Sequence, residues 1–477
     1  MGKSVIRIKK ITIKNWKNVV NGSLLLENHR KNYKASVLGL YGQNGSGKTA
    51  LIDAIALLKF ALCGRPIPKQ YADFVNVDAD AATLEYEFTV KDIDKKAEYN
   101  VNYSFSLKKE IEKNAVNIDD NSLEVAEEEK AVIVDEVLSY SYECGDKKIR
   151  KMPIINTRTS DVFLPKSKYN VLTGNEDEKD LFVAKKIALA TSKSFVFSKE
   201  LLNCIRKNCE EKYHVFLFDA LTKFGNFELF IIDVKNSGLI SFDALPLFFK
   251  YSNKRGNAVG NLPIPLNGSG VIPEQAFEVV NNVIKNMNIV LEQLIPNLTI
   301  GIKVIGTQTM KNGETGYIIE LISKKNKKEI ALRYESEGIK KIVSILQLLI
   351  VVYNNDSITV AIDELDSGIF EYLLGEILRI ISEKGNGQLI FTSHNLRPLE
   401  TIDKGFIAFT TTNVNNRYIR FSNVKNNNNL RDFYYRDIIL GEQDEPVYET
   451  TNNYEIALAF REAGDISGSQ ENCFCNS

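Results

Sequence analysis

Apolar positions along the chain fall into three kinds of run, and each predicts a different element. Thr83 to Leu107 alternates, with Leu84, Tyr86 and Phe88, then Tyr99, Val101, Tyr103 and Phe105, on one side. Period two of this kind predicts a strand meander with one face buried. Ser36–Tyr41, Ser357–Ile362 and Gln388–Thr392 are continuous apolar runs instead, the mark of short strands buried on both faces of a parallel sheet. Helical spacing links the runs. Leu51, Ile55, Leu58 and Leu62 repeat until Gly64 and Pro66 stop them. Pro273–Leu294 carries Phe277, Val280, Ile284, Met287, Leu291 and Leu294 on one face. Ile342, Ile345, Leu346, Leu349 and Val352 form a third stripe, and Ile369, Leu373, Ile377 and Ile380 a fourth, within Ile369–Glu383. Leu430–Leu440 and Tyr454–Ala463 read as terminal helices, with a loop at Asn426–Asn429 before them. Buried strands alternating with amphipathic helices predict an α/β fold.

The middle of the chain is less regular. Residues 108–295 mix an acidic stretch (Glu124–Glu129), a basic one (Lys147–Lys151, read as a solvated turn) and short apolar runs such as Val215–Phe218. The expected organisation is a first lobe at 1–107, an inserted α+β region at 108–295, a second part of the core at 296–425 and a helical tail at 426–477. Lys324–Lys328 lies between two apolar runs and reads as a hairpin tip. No heptad run is sustained, which excludes a long coiled-coil arm.

Composition narrows the classes. A net charge of −1 excludes a strongly basic nucleic-acid binder, so any nucleic-acid contact is expected to be local, at the basic tips. No apolar stretch has the length of a membrane helix, and the N-terminus carries no signal-peptide pattern, so a cytoplasmic chain without membrane contact is expected. Cys63, Cys144, Cys204, Cys209, Cys473 and Cys475 lack zinc-site spacing and read as reduced thiols.

Candidate chemistry concentrates at the ends of the buried strands. Gly42, Gln43, Asn44, Gly45, Ser46, Gly47, Lys48 and Thr49 follow the first apolar run and open the first helix, fitting G-x-x-x-x-G-K-[ST]. Such a loop lets backbone N–H groups surround phosphate oxygens at a helix N-terminus. Lys48 then reaches the outer phosphates of ATP, and the Thr49 hydroxyl ligates Mg2+. Asp363 and Glu364 end the second buried run, where Asp363 would hold magnesium through water and Glu364 would orient or deprotonate the attacking water. Leu365-Asp366-Ser367-Gly368 follows at once. His394 ends the third run, placed to touch a γ-phosphate, unlike His29 and His214, which have no such placement. Ser336 and Gly338, within Glu335-Ser336-Glu337-Gly338, begin the third helix, where a serine both caps and favours anions.

In this order the elements resemble ABC-type ATPases, over roughly residues 3–65 and 330–400. Ile6 to Asn18, with its Asn15-Trp16-Lys17-Asn18 turn, is similar to the first strand of the RecF/SMC/OLD branch, and the nearest likeness is to stand-alone bacterial ATPases of phage-defence systems. The resemblance implies an ABC-type head split by an α+β insertion, with a small helical tail. It implies a dimer around two nucleotides, in which Ser336 completes the partner's site, Asp366 belongs to the D-loop and His394 senses the γ-phosphate. It also implies a separately encoded nuclease or other toxin as effector. A RecF-like DNA-repair ATPase and a non-hydrolysing ATP-dependent scaffold are the alternatives. Two features depart from the family pattern: its Leu-Ser-Gly-Gly signature is here Glu335-Ser336-Glu337-Gly338, and no Q-loop glutamine can be placed.

Overall fold

The computed structural model describes residues 3–27, 34–119, 122–159, 161–174, 178–233, 243–253, 256–310, 313–326, 328–421, 429–441 and 443–471. His29, Cys473, Cys475 and positions 426–428 of the expected loop lie outside the described residues.

The chain opens with a hairpin, β1 (Ser4–Trp16) and β2 (Val19–Leu25), then the wholly buried β3 (Ser36–Tyr41) and α1 (Lys48–Leu62). β4 (Ala81–Asp92), β5 (Ala97–Asp119), β6 (Ser122–Cys144) and β7 (Lys147–Asn156) form a meander. With the first hairpin they make one antiparallel sheet, ordered β2-β1-β4-β5-β6-β7. Helices α2 (Lys166–Thr173), α3 (Glu178–Ala190), α4 (Lys199–Asn208) and α5 (Lys212–Lys223) share that sheet's core. β8 (Leu229–Ile232) follows, then the ribbon of β9 (Ala244–Asn253) and β10 (Gly256–Pro265), β11 (Ser269–Pro273) and α6 (Glu274–Leu294). β12 (Leu298–Thr309), β13 (Thr315–Lys325) and β14 (Lys328–Ala331) build a small sheet in which β13 pairs with β11, β12 and β14. The remainder is α7 (Glu337–Asn354), β15 (Thr359–Ile362), α8 (Glu371–Lys384), β16 (Gln388–Thr392), α9 (Pro398–Thr401), β17 (Ile407–Thr410), β18 (Tyr418–Ile419), α10 (Leu430–Leu440) and α11 (Asn453–Glu471).

The second sheet, ordered β18-β17-β3-β16-β15-β8, is parallel except for β18. Alternation along its strands explains the continuous apolar runs. Leu38, Leu40, Ile231, Ala361 and Ile390 face α1 and the antiparallel sheet, while Val37, Phe230, Val360, Ile362 and Leu389 face α6, α7 and α8. α1 lies between two sheets and is buried almost all round, not along one stripe.

The fold class is as expected, α/β with the P-loop on a parallel sheet. Three local readings need correction. β5 runs through the boundary drawn at 107/108, and β8, from within 108–295, joins the core sheet. Charged residues at 108–130 hid the strand: beyond Lys108 neither β4 nor β7 pairs with this hairpin, so it needs no apolar alternation. Lys147–Lys151 is the start of β7 and not a turn; the turn is one step earlier, at Gly145. In α8 the buried stripe is Leu374, Ile377, Leu378 and Ile381, whereas Ile380 is exposed.

Candidate functional site

The P-loop leaves β3 at the sheet's carboxyl edge, where ligands bind in open α/β sheets. Gly42 (φ 154°) turns the chain against β17, where a Cβ would lie 1.8 Å from Thr410 Oγ1. Gly47 (φ 92°) caps α1, and a Cβ there would press on Val19 and Arg417. Ser46 donates to the Gln43 carbonyl at 2.7 Å and meets the Thr410 hydroxyl. Thr49 lies half-buried in the first turn of α1, while Asn44 and Gly45 are exposed. Lys48 Nζ donates to the carbonyls of Gly42 and Gln43, both at 2.8 Å. Both acceptors are carbonyls of the loop that Lys48 itself belongs to.

Other segments brace this loop. Trp16 Nε1 donates to the Ala50 carbonyl at 3.1 Å, Asn18 donates to the Gly45 carbonyl, and Lys17 pairs with Asp53 of α1. From β18, the Tyr418 hydroxyl donates to the Gly47 carbonyl at 2.9 Å, and Arg417 donates to the carbonyls of Thr411 and Asn18. Further on, Glu449 N donates to Gln43 Oε1 at 2.8 Å. Sequence reasoning gave no role to Arg417, Tyr418 or Glu449, and nothing local marks them. Trp16, Lys17 and Asn18 belong to the turn that the sequence marked only by its family resemblance, with no bracing role assigned to them.

Asp363 ends β15, separated from β3 by β16 alone. Its buried carboxylate accepts from Thr392 Oγ1 at 2.5 Å, and the same hydroxyl accepts from Glu364 N at 2.8 Å. Glu364 sits at φ 47°, left-handed backbone that costs a non-glycine residue about 1 kcal/mol or more. Asp366 Oδ2 accepts from the backbone N–H groups of His394 (3.1 Å) and Asn395 (2.9 Å), locking the loop after β15 to the end of β16. Its Oδ1 is buried without a hydrogen bond.

These groups share one electrostatic site. Burial lowers the Lys48 ammonium to about 8, against the pull of Asp363, Glu364 and Asp366. The His394 imidazole is likewise lowered, first by burial and next by Lys48, so it favours the neutral form. Asp53 is raised to about 6 by burial in spite of Lys17. Asp233, at the end of β8, is buried beside them: Asp363 N donates to the Ile232 carbonyl at 3.1 Å. An aspartate therefore ends the strand next to β15.

Ser336 is apart from these residues. It caps α7 by accepting from Ile339 N and is exposed. Gly338 abuts the loop after β15, where a Cβ would stand 2.2 Å from the Gly368 carbonyl oxygen. The structure thus unites Lys48, Asp363, Glu364, Asp366 and His394, and leaves Ser336 facing outward.

Residues 10–213 match a family model described as an AAA domain. No curated protein matches the chain. Among solved structures, the SMC head domain from Thermotoga maritima is 14% identical, with a TM-score of 0.34, over 87% of this chain and 99% of its own. The Smc head domain with a coiled coil and joint derived from Pyrococcus yayanosii is 9% identical, with a TM-score of 0.36, over 88% and 98%. Among the described residues, no helix is long and apolar enough to cross a membrane.

Proposed function

We propose that the chain hydrolyses ATP at a site completed by a second copy of itself. One observation carries this reading: Lys48, Asp363, Glu364, Asp366 and His394, from three separate segments, lie within electrostatic reach of each other at the mouth of the P-loop. The P-loop amides and Lys48 hold the phosphates, with Lys48 leaving the Gly42 and Gln43 carbonyls for the anion. The donor set fits magnesium, since the Thr49 hydroxyl and the Asp363 carboxylate are hard oxygen ligands of the kind that leave most positions to phosphate and water. When bound, magnesium neutralises charge on the outer phosphates. Glu364 accepts the proton of the attacking water, and neutral His394 donates to the γ-phosphate.

Support for a second copy comes from exposure around Ser336. Tyr334 (70%), Phe370 (71%) and Tyr372 (54%), all exposed, lie within four positions in sequence of Gly338 or Gly368, whose backbones meet. Ser336, the exposed N-cap of α7, would meet the γ-phosphate held by the partner. Glu364→Gln with ATP and magnesium should accumulate a dimer or a multiple of it. A variant that stays monomeric in light scattering at saturating ATP would exclude the composite site.

The biological reading rests on the resemblance alone: the ATPase acts as sensor and regulator in anti-phage defence, with a separately encoded nuclease or toxin as effector. Expressed with its neighbouring genes, wild type should lower phage plating, and neither Lys48→Ala nor Glu364→Gln should. Full protection by both variants would refute an ATP-driven role.

A further inference from the structure

Helix α7 contains two consecutive lysines, Lys340 and Lys341, that are 8% and 6% exposed. Burying an ammonium is costly unless it is bonded. Lys340 is satisfied beside Ser367 and Gly368, donating to Asn267 Oδ1 at 3.2 Å and pairing with Glu337 at 2.5 Å. Lys341 has a different acceptor. Its Nζ donates to the carbonyl of Glu364, and its charge faces Asp366, Glu364 and Asp363.

The carbonyl it grips belongs to the residue with left-handed backbone. Glu364 is fixed on its N–H side by Thr392 Oγ1, and on its carbonyl side by Ser367 N at 3.2 Å and by Lys341. Among the described residues, Lys341 is the one side chain shown donating to that carbonyl. Five positions earlier on the same helix, roughly 7–8 Å along its axis, is Ser336 at the exposed end. A shift of α7 at its start therefore reaches the backbone that aims Glu364.

We propose that Lys341 is a positioning residue that holds Glu364 in its working geometry and ties that geometry to the engagement of Ser336 by a second copy. The tie deepens the composite-site reading and rests on it; the hold on Glu364 does not. Each copy would then make hydrolysis at its own P-loop responsive to the nucleotide that its partner carries.

The test uses the full chain and compares Lys341→Met, Lys341→Arg, Ser336→Ala and the Lys341→Met/Ser336→Ala pair. Lys341→Met should lower kcat by about tenfold or more while fluorescent-nucleotide affinity stays within about twofold. Lys341→Arg keeps a donor and should recover most of the loss. In the double variant the losses should be less than multiplicative, since one acts through the other. Wild-type kcat in Lys341→Met overturns the proposal. So does a kcat loss matched by an equal loss of affinity, or one that Lys341→Arg shares in full together with a lowered melting temperature. Multiplicative losses overturn the tie and keep the hold. If Ser336→Ala turns over normally, the composite site fails, and the loss in Lys341→Met still stands for the hold on Glu364.

Discussion

Lys48 occupies two states in the proposed cycle, and its proton makes them measurable. In the structure it is buried against two carbonyls and lowered to about 8. A triphosphate favours the charged form and raises it again. Above pH 8 the free lysine is mostly neutral, so binding must take up a proton, and ATP affinity should fall as pH rises, by up to about tenfold per unit. Below about pH 7 the group is charged in both states and adds no slope. Calorimetric titration in buffers of different ionisation enthalpy should show net proton uptake on binding at pH 8.5 that exceeds the uptake at pH 7; no uptake would place Lys48 away from the phosphates, and Lys48→Ala should abolish both uptake and binding. The P-loop, Asp363 and Glu364 were legible in the sequence because their chemistry depends on near neighbours and on the apolar run before them. Thr392, Lys341 and Tyr418 were not, because each matters through one contact across the fold, at Asp363, Glu364 and Gly47.

Elements that pack on both faces were the easiest to read, and those bonded only at an edge the hardest. β3, β15 and β16 announced themselves as apolar runs; β18, two residues long, did not, yet it braces the P-loop. Tyr418→Phe deletes the bond to the Gly47 carbonyl and should cost about 1 kcal/mol of stability, with weaker nucleotide binding. Unchanged denaturation midpoint and affinity would deny β18 that part. A sharper test lies where α7 meets the loop after β15. An alanine at 338 would set its Cβ 2.2 Å from a backbone oxygen, which no side-chain rotation relieves. Gly338→Ala should push α7 away from that loop and cost about 2 kcal/mol or more. Because the P-loop is supported from β1, β2 and β18, ATP binding should survive while turnover is lost. Equal loss of both would mean that the two halves of the site are not separately supported.

At the scale of the whole molecule, the parallel sheet divides two cores, and the C-terminal segment returns to the nucleotide side. α10 docks Leu430, Phe433 and Tyr434 on the second core, where Tyr434 stacks on Phe409 at 4.9 Å. The chain then buries Val447 and reaches Gln43 through Glu449. α11 differs: from Asn453 to Gly464 every residue is exposed, including Tyr454 (73%) and Phe460 (77%). The sequence foretold both terminal helices but could not separate them, since packing is decided by what lies opposite and not by the helix's own pattern. The two should part under truncation. Removing 453–477 takes away no described buried side chain, so the melting temperature should change by no more than about 1 °C and ATP binding should persist. Removing 430–477 uncovers the aromatic cluster around Phe409 and Phe421, at about 2 kcal/mol for each large side chain lost, and frees Gln43. That truncation should unfold or fall by many degrees. If the shorter deletion also destabilises the chain, α11 packs on the body and its apolar residues are not a free surface. If it leaves the monomer intact but abolishes the ATP-dependent assembly of Glu364→Gln, α11 contributes to the contact between copies.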